Sequence, residues 1–326
     1  MHTTLPLGSK IEIVLPFLSV IHLYMNSAVE VIKAHIALIG CNMVWACDYP
    51  FYNLLLGRYI EPLAMVTASL IATALLSLLP LLWEKPQKVE RKDFLLLICA
   101  ALLMGVARKL LMMFGLSKTS PIDGAIIATV SPLMVLVISV IMGLERLSLR
   151  RIVGLLLGMA GAIAVVLTSG NPSHIKSQAA GNIMIFCSAC VTALYITSFK
   201  RLVAKYRITT LLRIIYCTSA VAILPFGIKP MLATNLAAMD THLILAALFV
   251  VFVPTYLPNL LLNYSLKIVQ PTVSSIYTYI QPVLAVALSV AMGLDSLHAD
   301  TLLFATILFA GVWIVVSSYQ KQSTNS

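Results

Sequence analysis

Apolar residues run along this chain in continuous blocks of about twenty, and polar and charged residues gather in the short gaps between them. A block of that length, wound as a helix rising 1.5 Å per residue, crosses the roughly 30 Å hydrocarbon core of a bilayer. The strands of a membrane barrel would instead alternate apolar and polar positions. The pattern predicts helices over 34–56, 62–83, 94–115, 122–144, 151–169, 180–199, 208–229, 242–264, 271–293 and 300–318. Residues 11–24 are apolar but too short to span, and Pro16 interrupts them. Residues 1–33 therefore read as a cytoplasmic or interfacial lead-in, with Met25 as a plausible true start and residues 1–24 as an over-extension.

Composition points the same way. Hydrophobic residues make up 60% of the 326 and charged ones 10%, with a mean hydropathy of +0.98. Soluble domains carry roughly 25% charged residues. The net charge of +10 would suit nucleic acid if it were clustered, but it follows the membrane topology. With the first helix starting in the cytoplasm, fifteen basic residues fall on the cytoplasmic side, among them Lys85, Lys88, Arg91, Lys200, Arg201 and Lys267. Four (Arg58, Lys118, Lys176, Lys229) fall outside. That bias predicts both termini in the cytoplasm and no nucleic-acid partner. The six cysteines lie in apolar blocks and read as packing residues, Cys187 and Cys190 included. No metal site and no cofactor are expected.

The chain repeats itself with a shift of 150 residues. SPIDGAIIATVSPLMVLVISVIMGLERL at 120–147 aligns with QPTVSSIYTYIQPVLAVALSVAMGLDSL at 270–297. Pro121 meets Pro271, Pro132 meets Pro282, MGL meets MGL, and Glu145 meets Asp295. Five helices per half is an odd number, so the second half enters the membrane inverted. The predicted fold is all-α, ten transmembrane helices as two inverted five-helix repeats: 34–169 and 180–318, with a lead-in at 1–33 and a cytoplasmic tail at 319–326. Inverted repeats are an architecture of alternating-access transporters.

With WAC at 45–47, the paired halves and the SPLMVL, MGLERL and GLLLGMAGA motifs, residues 33–318 resemble the EamA-type branch of the drug/metabolite transporter superfamily. The resemblance implies a ten-helix bundle with a central cavity lined by helices 1, 3, 4, 6, 8 and 9. It also implies metabolite movement across a bacterial inner membrane, often export of amino acids or related compounds. Asp48 in the first helix and Arg108-Lys109 in the third depart from the family pattern.

A charge at the centre of a membrane helix costs about 2.5–3.5 kcal/mol on insertion scales, so it faces a partner or a watery cavity. Asp48 and Arg108 each lie about 21 Å along their helices, which allows an ion pair of Asp48 with Arg108 or Lys109. Asp48 is also the candidate for proton coupling. Pro132 and Pro282 each remove a helical hydrogen bond and read as hinges, freeing the carbonyls of Ala128 and Thr278. Ser131, Asn259, Ser274, Thr278 and Gln281 complete the candidate cavity set; Ser274, Thr278 and Gln281 share one helix face. The GLLLGMAG stretch at 154–161 predicts close helix packing within the bundle or, as an alternative, a homodimer face.

These features predict a secondary transporter that exports a small polar, amino-acid-like metabolite by alternating access, with a proton or counter-substrate as partner. An organic-anion or organophosphate exchanger is the alternative within transport. A non-transporting scaffold or a membrane enzyme is the alternative outside it. No nucleotide-binding loop or catalytic constellation is present, so an enzyme is not expected.

Overall fold

The computed structural model describes residues 7–144, 148–168, 175–294 and 299–323. The described residues are nearly all helical and form no sheet. Glu145, Arg146 and Asp295, expected to close the fourth and ninth predicted helices, lie outside them.

The helices are α1 (Leu7–Leu55), α2 (Pro62–Leu78), α3 (Arg91–Ala100), α4 (Arg108–Leu116), α5 (Pro121–Ala128), α6 (Ser131–Ile141) and α7 (Leu149–Thr168). They are followed by α8 (Ile175–Ser198), α9 (Lys200–Lys205), α10 (Ile208–Leu232), α11 (Thr241–Leu266), α12 (Pro271–Ile276), α13 (Ile280–Ala291) and α14 (Ala299–Ser323). A π-helical turn, Ala101–Ala107, joins α3 to α4, and a 3-10 turn, Tyr277–Tyr279, joins α12 to α13. Among the described residues, eight stretches, counting joined helices as one, are long and apolar enough to cross a membrane. The chain is thus a multi-pass membrane protein. α7 and α14 stand where the fifth and tenth helices were predicted.

Local chemistry explains the boundaries. Ser120 caps α5 by accepting from the Asp123 N–H at 3.1 Å, with Pro121 at the first helical position. Asp240 caps α11 through the Leu243 N–H at 2.8 Å. The two MGL repeats end α6 and α13 alike. Gly143 and Gly293 adopt φ of 68° and 64°, Leu144 N–H donates to Ser139 O at 2.8 Å, and Leu294 N–H to Ser289 O at 2.9 Å. This is the left-handed glycine cap that satisfies the last helical carbonyls. At Pro132 and Pro282 the predicted helices break into α5/α6 and α12/α13.

Packing joins the early helices to the late ones. α7 lies on α14, α2 on α10, α1 on α11 and α13, and α8 on α4 and α6. The small residues of 154–161 are used against α14. A Cβ on Gly311 would fall 2.2 Å from the Gly158 nitrogen and 2.6 Å from the Gly154 carbonyl oxygen. The Gly154, Gly158 and Gly161 face is thereby filled from within the chain.

At the end of the bundle that gathers the basic loops, residues 84–93 are tied to 205–209. Lys205 reaches Asp93 at 2.6 Å and Glu90 at 2.5 Å, Tyr206 donates to Asp93, and Thr209 donates to Glu84 at 2.7 Å. Hydrogen bonding to Lys205, then to Lys92, holds the Glu90 carboxyl below its usual range. Bonding to Asp93 and Glu90 holds the Lys205 ammonium above its own.

Two predictions follow from this packing. Gly311→Ala forces backbones apart and costs about 1–3 kcal/mol, as overpacking does; thermal unfolding in detergent reads it as a lowered midpoint. The Lys205–Glu90 pair is complete between the ordinary values of the two groups, about pH 4.3 and pH 10.4. It is lost as pH falls through the depressed Glu90 value and as it rises through the elevated Lys205 value. Protease nicking of the 84–93 loop should rise on the acid side in the native protein, and Glu90→Gln should make nicking higher at neutral pH and flatten that rise.

Candidate functional site

The site begins with two prolines in α11. Pro254 leaves the Val250 carbonyl without its helical donor, and Pro258 does the same to the Pro254 carbonyl. Both are recovered by α1: Tyr52 donates its hydroxyl to Val250 O at 3.2 Å, and the Trp45 indole N–H donates to Pro254 O at 3.2 Å. Trp45, Asp48, Tyr49 and Tyr52 lie on one face of α1 by their three- and four-residue spacing.

The same two aromatics receive the bases of α4. The Arg108 guanidinium lies 5.4 Å from the centroid of the Trp45 ring. The Lys109 ammonium donates to Tyr52 Oη at 3.0 Å and to Thr255 Oγ1. Lys109 is 4% exposed, and its charge is held by hydroxyls. No ion pair within 4 Å joins Asp48 to Arg108 or Lys109 among the described residues, so the pairing allowed by depth is absent. The physical reason is visible: Tyr52 and Thr255 occupy Lys109, and the Trp45 face holds Arg108. Asp48 is 6% exposed with Oδ1 unpartnered, and Arg108 Nε is likewise buried and unpartnered.

Asp48, Arg108, Lys109, Ser131, Thr278 and Gln281 line one cavity of about 50 Å³, together with Trp45, Tyr52, Ser188 and Thr192. That volume holds a few waters. Asn259 and Ser274 are buried but do not line it. Asn259 instead donates to Thr255 O at 2.8 Å. Gln281 accepts from Tyr49 Oη at 2.9 Å and donates to Asn42 Oδ1 at 2.7 Å, which fastens α13 to α1. Ser131 donates to Ala189 O at 3.3 Å on α8. Pro132 and Pro282 sit at the breaks beside the cavity, where Ala128 and Thr278 line the wall. No cluster of metal-ligating side chains occurs among the described residues.

The EamA-like transporter family matches residues 32–167 and again 179–317. The chain belongs to the EamA-like transporter family. The resemblance carried by the paired motifs is thus borne out, and the protein is a membrane transporter. This EamA-like transporter is 22% identical, over 268 residues, to the uncharacterized transporter YyaM of Bacillus subtilis, covering 80% of this chain and 87% of that one. An uncharacterized transporter of Archaeoglobus fulgidus is 22% identical over 194 residues, 59% of this chain and 66% of its own. One solved crystal structure superposes with a TM-score of 0.62 at 14% identity, covering 87% of this chain and 98% of that one. It shares the fold.

Sequence reasoning missed Tyr52, Ser188 and the prolines of α11 as parts of this transporter's site. The signal was present: two prolines four residues apart free two successive carbonyls on one face, and a membrane helix must supply donors for them. A second missed element is the π-helical turn before Arg108. Ser219 of α10 donates to the Ala101 carbonyl at 2.9 Å there, and a Cβ on Gly105 would meet Ser219 Oγ at 1.9 Å.

Tyr52→Phe strands the Val250 carbonyl and the Lys109 ammonium, at about 1–3 kcal/mol. Pro254→Ala restores the helical donor. In a double-mutant cycle on detergent-solubilised protein, Tyr52→Phe should cost measurably less in the Pro254→Ala background. Equal costs in both backgrounds would contradict the carbonyl-recovery role.

Proposed function

We propose that this EamA-like transporter moves a small polar metabolite by alternating access, in the export direction, with its termini in the cytoplasm of a bacterial cell whose inner membrane it spans. The observation that carries this reading is the buried Asp48 with Oδ1 unpartnered and the half-buried Arg108 with a buried, unpartnered Nε, opposite charges facing one cavity beside two helix breaks. Uncompensated charge in a membrane interior is expensive, and a dipolar ligand would offset both ends. Lys109 is engaged by Tyr52 and Thr255 and takes a structural part. That leaves a single free guanidinium, which weighs against an organic-anion exchanger.

The helix contacts support two inverted repeats, 34–169 and 180–318. If α1 is exchanged with α8, α2 with α10, α3–α4 with α11, α5–α6 with α12–α13, and α7 with α14, the contact of α1 with α11 becomes that of α8 with α4. The contact of α1 with α13 likewise becomes that of α8 with α6. The pairs α2–α10 and α7–α14 map onto themselves. With two such repeats the cavity would lie at their interface, where inverted-repeat transporters hold substrate. In the transport cycle the cavity widens about Pro132 and Pro282 to admit substrate. Asp48 is the carboxylate through which a proton would be exchanged for substrate.

Metabolite profiling of medium and cells tests the reading. Overexpression of the native protein should raise one polar metabolite in the medium at least severalfold, and Asp48→Asn and Arg108→Gln, expressed and folded, should abolish the rise. A medium unchanged from empty-vector cells, or variants that export like the native protein, would overturn it.

A further inference from the structure

A second opening lies at the end of the bundle that carries the basic loops. There α6, α8, α9 and α12 leave a cleft of about 900 Å³, far larger than the central cavity. Met142, Leu144, Val273 and Ile276 give it apolar walls. Lys200 and Arg201 stand at its rim, directly after the membrane-crossing stretch that ends at Ser198. They therefore sit at the height of lipid headgroups. No acidic residue is among the described residues that line it. Lys200 gives one hydrogen bond to Gln270 Oε1 at 2.7 Å and keeps its other donors open. Partial burial pushes the Lys200 ammonium down from its usual value. Thr197 lines the same cleft, 4% exposed, with its hydroxyl unpartnered.

The cleft thus has a donor-rich end at the membrane surface and an apolar body below it. We propose that it holds one anionic phospholipid of the leaflet at that face, the phosphate on Lys200 and Arg201 and an acyl chain along Met142, Val273 and Ile276. Basic residues just beyond a membrane helix attract anionic headgroups, and a chain buries its methylenes against an apolar wall. A soluble phosphate would satisfy the donors but leave the walls wet. The occupant has a mechanical effect as well. α6 and α12 are the lower arms of the two broken helices, and a lodged chain props them apart, which biases this end of the bundle toward its open arrangement.

Native mass spectrometry of delipidated full-length protein, offered dioleoyl-phosphatidylglycerol or dioleoyl-phosphatidylcholine, tests the proposal. One phosphatidylglycerol should be retained with about tenfold preference or more over phosphatidylcholine. The Lys200→Gln/Arg201→Gln variant should lose the preference, and a Lys85→Gln/Lys88→Gln variant, equal in charge loss but away from the cleft, should keep it. Ala204→Trp, which fills the cleft, should cut retention of both lipids. Equal retention of the two lipids by native protein would overturn the proposal, as would undiminished preference in the Lys200/Arg201 variant. Displacement of the lipid by millimolar glycerol 3-phosphate would also overturn it, by reassigning the cleft to a soluble phosphate.

Discussion

Inside a bilayer no water can take up a stray backbone carbonyl, and the architecture around the central cavity answers that constraint. Pro254 and Pro258 strip two carbonyls of α11 of their donors, and Tyr52 and Trp45 replace them. The replacement fixes α1 against α11 in both height and rotation. Asp48 lies between the two aromatics in sequence, so fixing them fixes it. The same rings then receive Lys109 and Arg108 from α4. One pair of side chains thereby closes the backbone of one helix and seats the cations of another.

The charges beside this scaffold remain unequal in their satisfaction. Lys109 gives hydrogen bonds to two hydroxyl oxygens, whereas Asp48 and Arg108 retain buried atoms with no partner. A purely structural core would have brought these two together, since a short pair costs less than two isolated charges. Both instead face the same small cavity without forming an ion pair. The breaks at Pro132 and Pro282 lie against this space, so widening it bends helices where their hydrogen bonding is already interrupted.

The broad fold was legible because membranes impose a simple grammar. Blocks of apolar residues predict helices, and eight stretches among the described residues are long and apolar enough to cross a membrane. The 150-residue repeat even anticipated local geometry: both MGL sequences close a helix through a left-handed glycine. Six of the eight predicted cavity residues line the central cavity, for depth along a helix can be counted. Asn259 and Ser274 fell outside it, because residue type reveals polarity but not which neighbour takes the hydrogen bond. Rotation was the missing variable for Asp48 as well: equal depth allowed an ion pair, yet the aromatics of α1 hold the bases away from it. The contribution of Tyr52 was hidden for the same reason, as its partner carbonyls lie some two hundred residues further along the chain.

The π-helical turn at Ala101–Ala107 carries a consequence of its own. A π turn stores one residue more than the α-helix needs over the same rise. Each residue turns a helix by about 100°. Arg108 and Lys109 therefore face Trp45 and Tyr52 by virtue of that surplus, which Ser219 and Gly105 hold in place. Loss of a single residue from 101–107 would leave α3 and the apolar character of the helix untouched, yet swing both cations away from α1. The charge that faces the cavity can thus be altered by a one-residue deletion, with no change to any side chain that lines it.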